Sequence, residues 1–158
     1  MERSNIPEEI QQWNARIRQN PELTEGMGHV HLLSVPGRVS GQLRATPVSP
    51  IEYAGQRWLF AGFGEADWVK NLRTSRWGIL TKRKQLERIT VAEVEVEKRA
   101  PLLHAFVQHI PAEYFSLSVG PDEPLEAFAA IADRHPVFQI LTATSISSFA
   151  DAIGKQTQ

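Results

Sequence analysis

The segment from Leu32 to Pro47 does most to limit what this chain can fold into, because it places a proline–glycine turn between two apolar, strand-like runs. Val35-Pro36-Gly37-Arg38 has the composition of a type II turn. Proline presets one φ angle, and Gly37 is expected to take the positive φ that other residues resist. A hairpin there commits the region to antiparallel sheet. Gly41 then lets the backbone pass close to a ligand. The amides of Val39 to Leu43 need not all pair in a ladder, so several can face outward as a concave anion site, with Arg38 and Arg44 supplying charge from either end. The same residues also suit an ordinary solvated loop.

At 158 residues the chain supports one core rather than two. A single domain is expected, with an N-terminal helix and connector over 1–28 packed on a body formed by 29–158. A net charge of -1 offers no general field to gather nucleic acid or an anionic membrane, so no nucleic-acid partner is expected and any anion recognition must be local. The absence of cysteine excludes disulfides, thiolate metal sites and a cysteine nucleophile. No apolar stretch resembles a signal peptide or reaches the length of a membrane span, which fits a cytoplasmic location.

Pro7 to Arg18 has the spacing of a helix: Asn5 can cap it, and Ile10, Trp13 and Ile17 share one face. Asn20 to Gly28 reads as a connector. Strands follow at His29 to Val35, Leu43 to Tyr53 and, after the Ala54-Gly55-Gln56 turn, Arg57 to Ala61, in the pattern of a meander. Gly62-Phe63-Gly64 breaks the third strand, and Glu65 or Asp67 can cap a short helix carrying Trp68, Val69 and Leu72. Trp77 to Lys82 and Leu86 to Glu97 read as strands joined by the basic turn Lys82-Arg83-Lys84-Gln85, with a bulge expected between Thr90 and Glu93. Helices at Pro101 to Ile110 and Glu123 to Arg134 precede a last strand, Val137 to Thr144. The sum is an α+β chain, a small barrel with helical additions.

His29 and His31 would share a strand face, but no third ligand follows at a useful spacing, and no metal is expected. His104 and His109 do not share a helical face, and His135 precedes a proline at a boundary. There is no catalytic triad, no paired glycosidase-like carboxylates and no phosphate loop of the Walker type. The chain thus lacks the groups for self-sufficient acid–base or nucleophilic catalysis. Trp68, opening a helix directly after a glycine-containing break, is the tryptophan best placed to meet a ligand.

The run Gly37 to Pro47, followed after the next strand by a small-residue loop and Trp68-Val69-Lys70-Asn71-Leu72-Arg73, resembles the deazaflavin-dependent nitroreductase family, over His29 to Arg99. The resemblance implies a split β-barrel of the FMN-binding type with an N-terminal helix and peripheral helices. It implies coenzyme F-420, an 8-hydroxy-5-deazaflavin with a phospholactyl and oligoglutamate tail, as cofactor. Arg38, Val39, Ser40, Gly41 and Arg44 would hold the phosphate and tail; Pro47, Gly62, Phe63, Trp68, Asn71 and Leu72 would form wall and scaffold around the ring. The protein would then pass a hydride from the reduced cofactor to an electron-poor small molecule such as a quinone, nitroaromatic or activated alkene, with Tyr114 either donating a proton or merely packing. The family's glycine-rich loop is short here, with Phe63 near the position of a lysine and the added acids Glu65 and Asp67, which implies a weaker phosphate grip. Alternatives are an FMN-dependent reductase of the same fold, or a protein that holds a flavin, haem or lipid-like ligand without turnover. A homodimer stays open.

Overall fold

The structure, a computed structural model, describes residues 8–20, 30–110 and 116–157. Its centre is a seven-stranded antiparallel sheet made of β1 (His31–Pro36), β2 (Leu43–Val48), β3 (Ile51–Tyr53), β4 (Gln56–Phe60), β5 (Trp77–Lys82), β6 (Gln85–Glu93) and β7 (Val137–Ile146). Around it lie α1 (Glu8–Gln19), α2 (Asp67–Ser75), α3 (Ala100–His109), α4 (Leu125–Ile131) and α5 (Phe149–Thr157), the last of which the sequence pattern did not suggest. Asn5, Pro7, His29 and Tyr114 fall outside the described residues.

The spatial order is β2-β1-β5-β6-β7-β4-β3, so β2 and β3 form opposite edges although only Ser49 and Pro50 lie between them. Three Cα steps span at most about 11 Å. The edges of a flat sheet of this width would stand roughly 29 Å apart. The sheet must therefore roll until its edges approach, which is the split barrel. The run expected as one strand from Leu43 to Tyr53 is accordingly two, and Pro50, unable to donate to a ladder, marks the crossing from one edge to the other. Nor do the first strands make a meander: β1 pairs with β2 and β5, whereas the β3–β4 hairpin joins the sheet through β7.

Period-two alternation fills the barrel. Leu33 and Val35 on β1, Leu59 on β4, Leu80 on β5, Ile89 on β6 and Phe138 on β7 belong to one buried cluster. On the other face of β4, Trp58 and Phe60 meet α3 and α4 through Leu103, Phe106 and Phe128. Ala152 of α5 covers Trp77 and Ile79. The expected bulge is present, since pairing shifts between Thr90 and Val91; their partners are Thr142 and Ile140, so the additional residue is Leu141 on β7. β6 stops at Glu93, short of Glu97, and Val96–Lys98 turn as a 3-10 helix. Neither Glu65 nor Asp67 caps α2: the cap position is Ala66, without a side-chain bond. Arg83 and Lys84 both take positive φ, 50° and 65°, the backbone of a two-residue hairpin turn.

Candidate functional site

A cleft opens where α1 crosses the end of β2. α1 contributes Trp13, Asn14 and Ile17, and β2 with its exit contributes Thr46, Pro47, Val48 and Ser49. The far side is the loop after β4, with Gly62, Phe63 and Gly64, continuing into Ala66 and Trp68 of α2; Phe60, Phe106 and Ile110 form the floor. Gly64 has φ 89°, a value that glycine alone adopts without strain, and its amide donates to the Ala61 carbonyl at 3.0 Å, which folds the loop back on the strand. Phe60 and Phe106 stack at 4.7 Å. The walls are thus mainly apolar, with five aromatic side chains among them and Asn14, Thr46 and Ser49 as polar points. The cleft is open to solvent, with a volume of about 100 Å³.

The β1–β2 loop is a second feature. The Gly37 amide donates to the Gln42 carbonyl at 2.8 Å, and the Gly41 amide donates to the Gly37 carbonyl at 2.9 Å. Gly41, at φ 75°, supplies the left-handed residue; Gly37 does not, contrary to the type II turn expected from composition. Like the first amides of a helix, those of Arg38, Val39 and Ser40 have no acceptor inside this single turn. Arg38 finds one outside it. Its amide and Nη1 donate to Asn71 Oδ1 at 3.0 and 2.8 Å, and Nη2 lies 3.5 Å from Asp67 Oδ1. The amides of Val39 and Ser40 have no protein acceptor among the described residues.

Beside them the bare Gly37 backbone is roofed by polar atoms and leaves no room for a side chain: a Cβ there would lie 2.8 Å from Ser40 Oγ and 3.5 Å from both Arg44 Nε and the Gln42 carbonyl oxygen. The hydroxyl and the guanidinium form a small cationic cradle at the loop. The Arg44 side chain is exposed and has no carboxylate partner among the described residues.

The residues singled out by sequence are divided between these two features. Pro47, Gly62, Phe63 and Trp68 line the cleft. Arg38 and Gly41 line a separate shallow groove at the loop, with Thr74, Ser75 and Trp77; Val39 is 95% exposed at the tip. Asn71, 4% exposed, faces Arg38 rather than either opening, and Leu72 is fully buried in the barrel core, out of reach of any ligand. Strand β2 joins the two features: Arg44 precedes Pro47 by three residues, about 10 Å of extended chain. Sequence reading missed the contributions of Trp13, Asn14, Phe106 and Ile110. The shared face of Trp13 and Ile17 was legible, but not that it covers an opening as well as a core.

Glu65 and His135, behind the cleft, have lowered pKa values. The Arg73 guanidinium bonded to Glu65 holds that carboxyl below its ordinary range, so the acid of the cleft loop stays charged and paired. Burial pushes the imidazole of His135 below its ordinary 6.5, outweighing the contact of Nδ1 with the Ala61 carbonyl at 2.9 Å. Among the described residues no cluster of three or more His, Asp or Glu could hold a metal, and no helix is long and apolar enough to cross a membrane.

A rolled antiparallel sheet, its edges bridged by two residues and its ends dressed by helices, defines a split barrel of the flavin-binding type. Residues 9–128 match the sequence model described as F-420H(2)-dependent quinone reductase, and the chain belongs to that family of oxidoreductases, which use reduced coenzyme F-420. No curated protein matches it. A solved structure described as a domain-swapped dimer is 20% identical, with 83% of this chain and 98% of that one covered and a TM-score of 0.50. An F-420-H2 dependent reductase is 20% identical over 72% of this chain and 95% of that one, TM-score 0.49. A heme binding protein from Mycobacterium smegmatis is 13% identical over 80% and 52%, TM-score 0.48. At such identities the likeness concerns fold alone.

Proposed function

We propose that this F-420-dependent reductase acts on electron-poor small molecules, quinones first among them and nitroaromatics or activated alkenes next, with the cleft seating the cofactor ring and the β1–β2 loop seating its anionic tail. The bound deazaflavin supplies the chemistry, a hydride from reduced ring carbon 5 to the substrate. The residues of this chain bind, orient and exclude water. Trp13, Phe63 and Trp68 offer apolar faces to a planar ring, and Asn14 and Thr46 offer hydrogen bonds at its rim. Arg44, Ser40 and the amides of Val39 and Ser40 suit a phosphate, because one short loop and the strand start after it offer a guanidinium, a hydroxyl and amides without a protein acceptor among the described residues. Arg38 is already held by Asn71 and stiffens the loop more than it offers a free charge.

The observation that carries this reading is the coincidence of an aromatic cleft and a cationic cradle on one strand, at Pro47 and Arg44. FMN as the cofactor finds no support in the family match. The test is Arg44→Ala, read by quenching of deazaflavin fluorescence and by thermal unfolding. Affinity should fall about tenfold or more while the melting temperature moves by only about 2 °C, since an exposed arginine contributes little to folding. Equal losses would make the arginine structural. Tight binding without oxidation of the reduced cofactor by menadione would favour a carrier over a reductase.

A further inference from the structure

Behind the cleft, four charged side chains of alternating sign make an unbroken row. Glu65, in the loop that carries Gly62 and Phe63, accepts two hydrogen bonds from Arg73 of α2, at 3.1 Å from Nη1 and 2.7 Å from Nη2. Arg73 also donates to both carboxylate oxygens of Glu93 at the end of β6, at 2.7 and 2.8 Å. Glu93 accepts in turn from Nη2 of Arg99 at 3.1 Å. Arg99, only 6% exposed, spends its remaining donors on two carbonyls: Nε on Val94 and Nη1 on Ala132, both at 2.9 Å.

The two ends of this row lie behind the loop wall and the floor of the cleft. Glu65 follows Gly64 in the loop. Arg99 immediately precedes α3, whose Phe106 and following Ile110 belong to the floor. A single exposed ion pair contributes little to stability, but a forked guanidinium shared by two carboxylates fixes direction as well as distance, and a network loses less to solvent than its separate pairs. The acids in the loop thus have a use other than disturbing a nearby anion.

Resting on the reading of the cleft as the ring site, we propose that Glu65, Arg73, Glu93 and Arg99 are positioning residues that hold the Gly62–Gly64 loop at a set distance from α3, and so set the clearance between that loop and the cleft floor where the cofactor ring would rest. The lowered pKa of the Glu65 carboxyl accords with a permanently formed pair. The loop's own bonds give an internal reporter, because the amides of Ala61, Gly64 and Ala66 donate to Pro136, Ala61 and Gly64 at 2.9, 3.0 and 2.8 Å. Loop opening exposes them to exchange.

The experiment compares full-length protein with Glu65→Gln, which cuts the row at the loop end only, and with Lys98→Gln, which removes the exposed Lys98–Glu95 pair at 3.7 Å as a control. Deuterium exchange is followed without cofactor. Deazaflavin affinity is then measured by fluorescence quenching at low salt and at about 0.5 M salt. In Glu65→Gln, exchange at 61–66 should quicken about tenfold and affinity fall about tenfold, with the melting temperature within about 2 °C of the parent. Salt should weaken binding by the parent more than by this variant, and Lys98→Gln should behave as the parent. Unchanged exchange at 61–66 overturns the positioning role even if cofactor binds. Faster exchange with unaltered affinity overturns it as well, by showing that loop order does not govern entry. Parent protein that fails to bind deazaflavin overturns the cofactor reading and this role together, and the affinity of the parent distinguishes that failure from the other two.

Discussion

Replacing Gly37 by alanine separates binding from folding more cleanly than any arginine change, because the added methyl group displaces Ser40 and crowds Arg44, the two side chains proposed to hold the phosphate. The backbone permits it, since Gly37 is not among the positive-φ residues. The added Cβ would lie 2.8 Å from Ser40 Oγ, so the hydroxyl must move; Ser40 then releases the Gln42 amide, whose bond at 3.2 Å is already long. That loss costs about 0.5–1.5 kcal/mol. Against it stands a gain of about 0.4–1 kcal/mol from a less flexible unfolded chain. Net stability should change by less than about 1 kcal/mol, or roughly 2–4 °C in melting temperature for a chain of this size. An anion expelled from the cradle forfeits at least one charge-assisted bond of about 1.5–3 kcal/mol, a loss of roughly 10- to 150-fold in affinity. Deazaflavin quenching titrations beside thermal unfolding measure both quantities. Binding within about twofold of the parent would refute the cradle as the phosphate seat. A collapse of stability would show instead that the glycine is needed for the turn.

Gly78→Ala should do the reverse, because its Cβ would meet the Ser34 carbonyl oxygen and Leu33 Cδ1 at 3.0 Å, and a backbone carbonyl on the neighbouring strand cannot step aside. Urea unfolding should show a loss of about 1–3 kcal/mol with cofactor affinity intact; an unchanged midpoint would mean that β1 and β5 part without cost. For His135 the sign follows from its lowered pKa: the unfolded chain takes up the proton first, so the stability linked to the neutral ring is complete above the ordinary 6.5 and drains away as pH falls through the lower folded value. The difference in melting temperature between the parent and His135→Gln should therefore shrink between about pH 7.5 and 5.5, and a constant difference would remove the buried imidazole as the cause.

What the sequence disclosed was local, and what it concealed depended on partners far along the chain. The hairpin at Gly37 to Gln42 is written in proline, glycine and flanking apolar residues, yet composition could not say which glycine takes the left-handed conformation. That choice depends on the bond from the Gly41 amide to the Gly37 carbonyl, which closes a longer turn than type II. Leu43 to Tyr53 alternates convincingly as one strand, because alternation reports faces and says nothing about which edge of a sheet a residue joins. Pro50 was the visible clue to the crossing. Arg38 and Asn71 were both drawn out by the family resemblance, but their bond is a contact across the fold that no spacing rule predicts. The row from Glu65 to Arg99 was hidden for the same reason: its members sit on a loop, a helix, a strand end and a helix start.

The position of the site follows from the topology. The barrel interior is closed to ligands by Leu33, Leu59, Leu80, Ile89 and Phe138. A binding surface must therefore form where regular pairing ends, and β2 is an edge strand with a neighbour on one side only. An uncovered edge invites pairing with another chain. Here Pro47 removes one donor from it, and Nε of Arg18 on α1 donates to the Ala45 carbonyl at 2.6 Å, so α1 is fastened across the strand. The helix that shields the edge also brings Trp13 and Asn14 to Thr46 and Pro47, and just upstream of Ala45 the same strand begins with Arg44 at the loop. The protection of a sheet edge and the making of the cleft are thus one structural act, and this explains why a helix outside the barrel supplies part of a cleft whose other walls are built by the sheet and its loops.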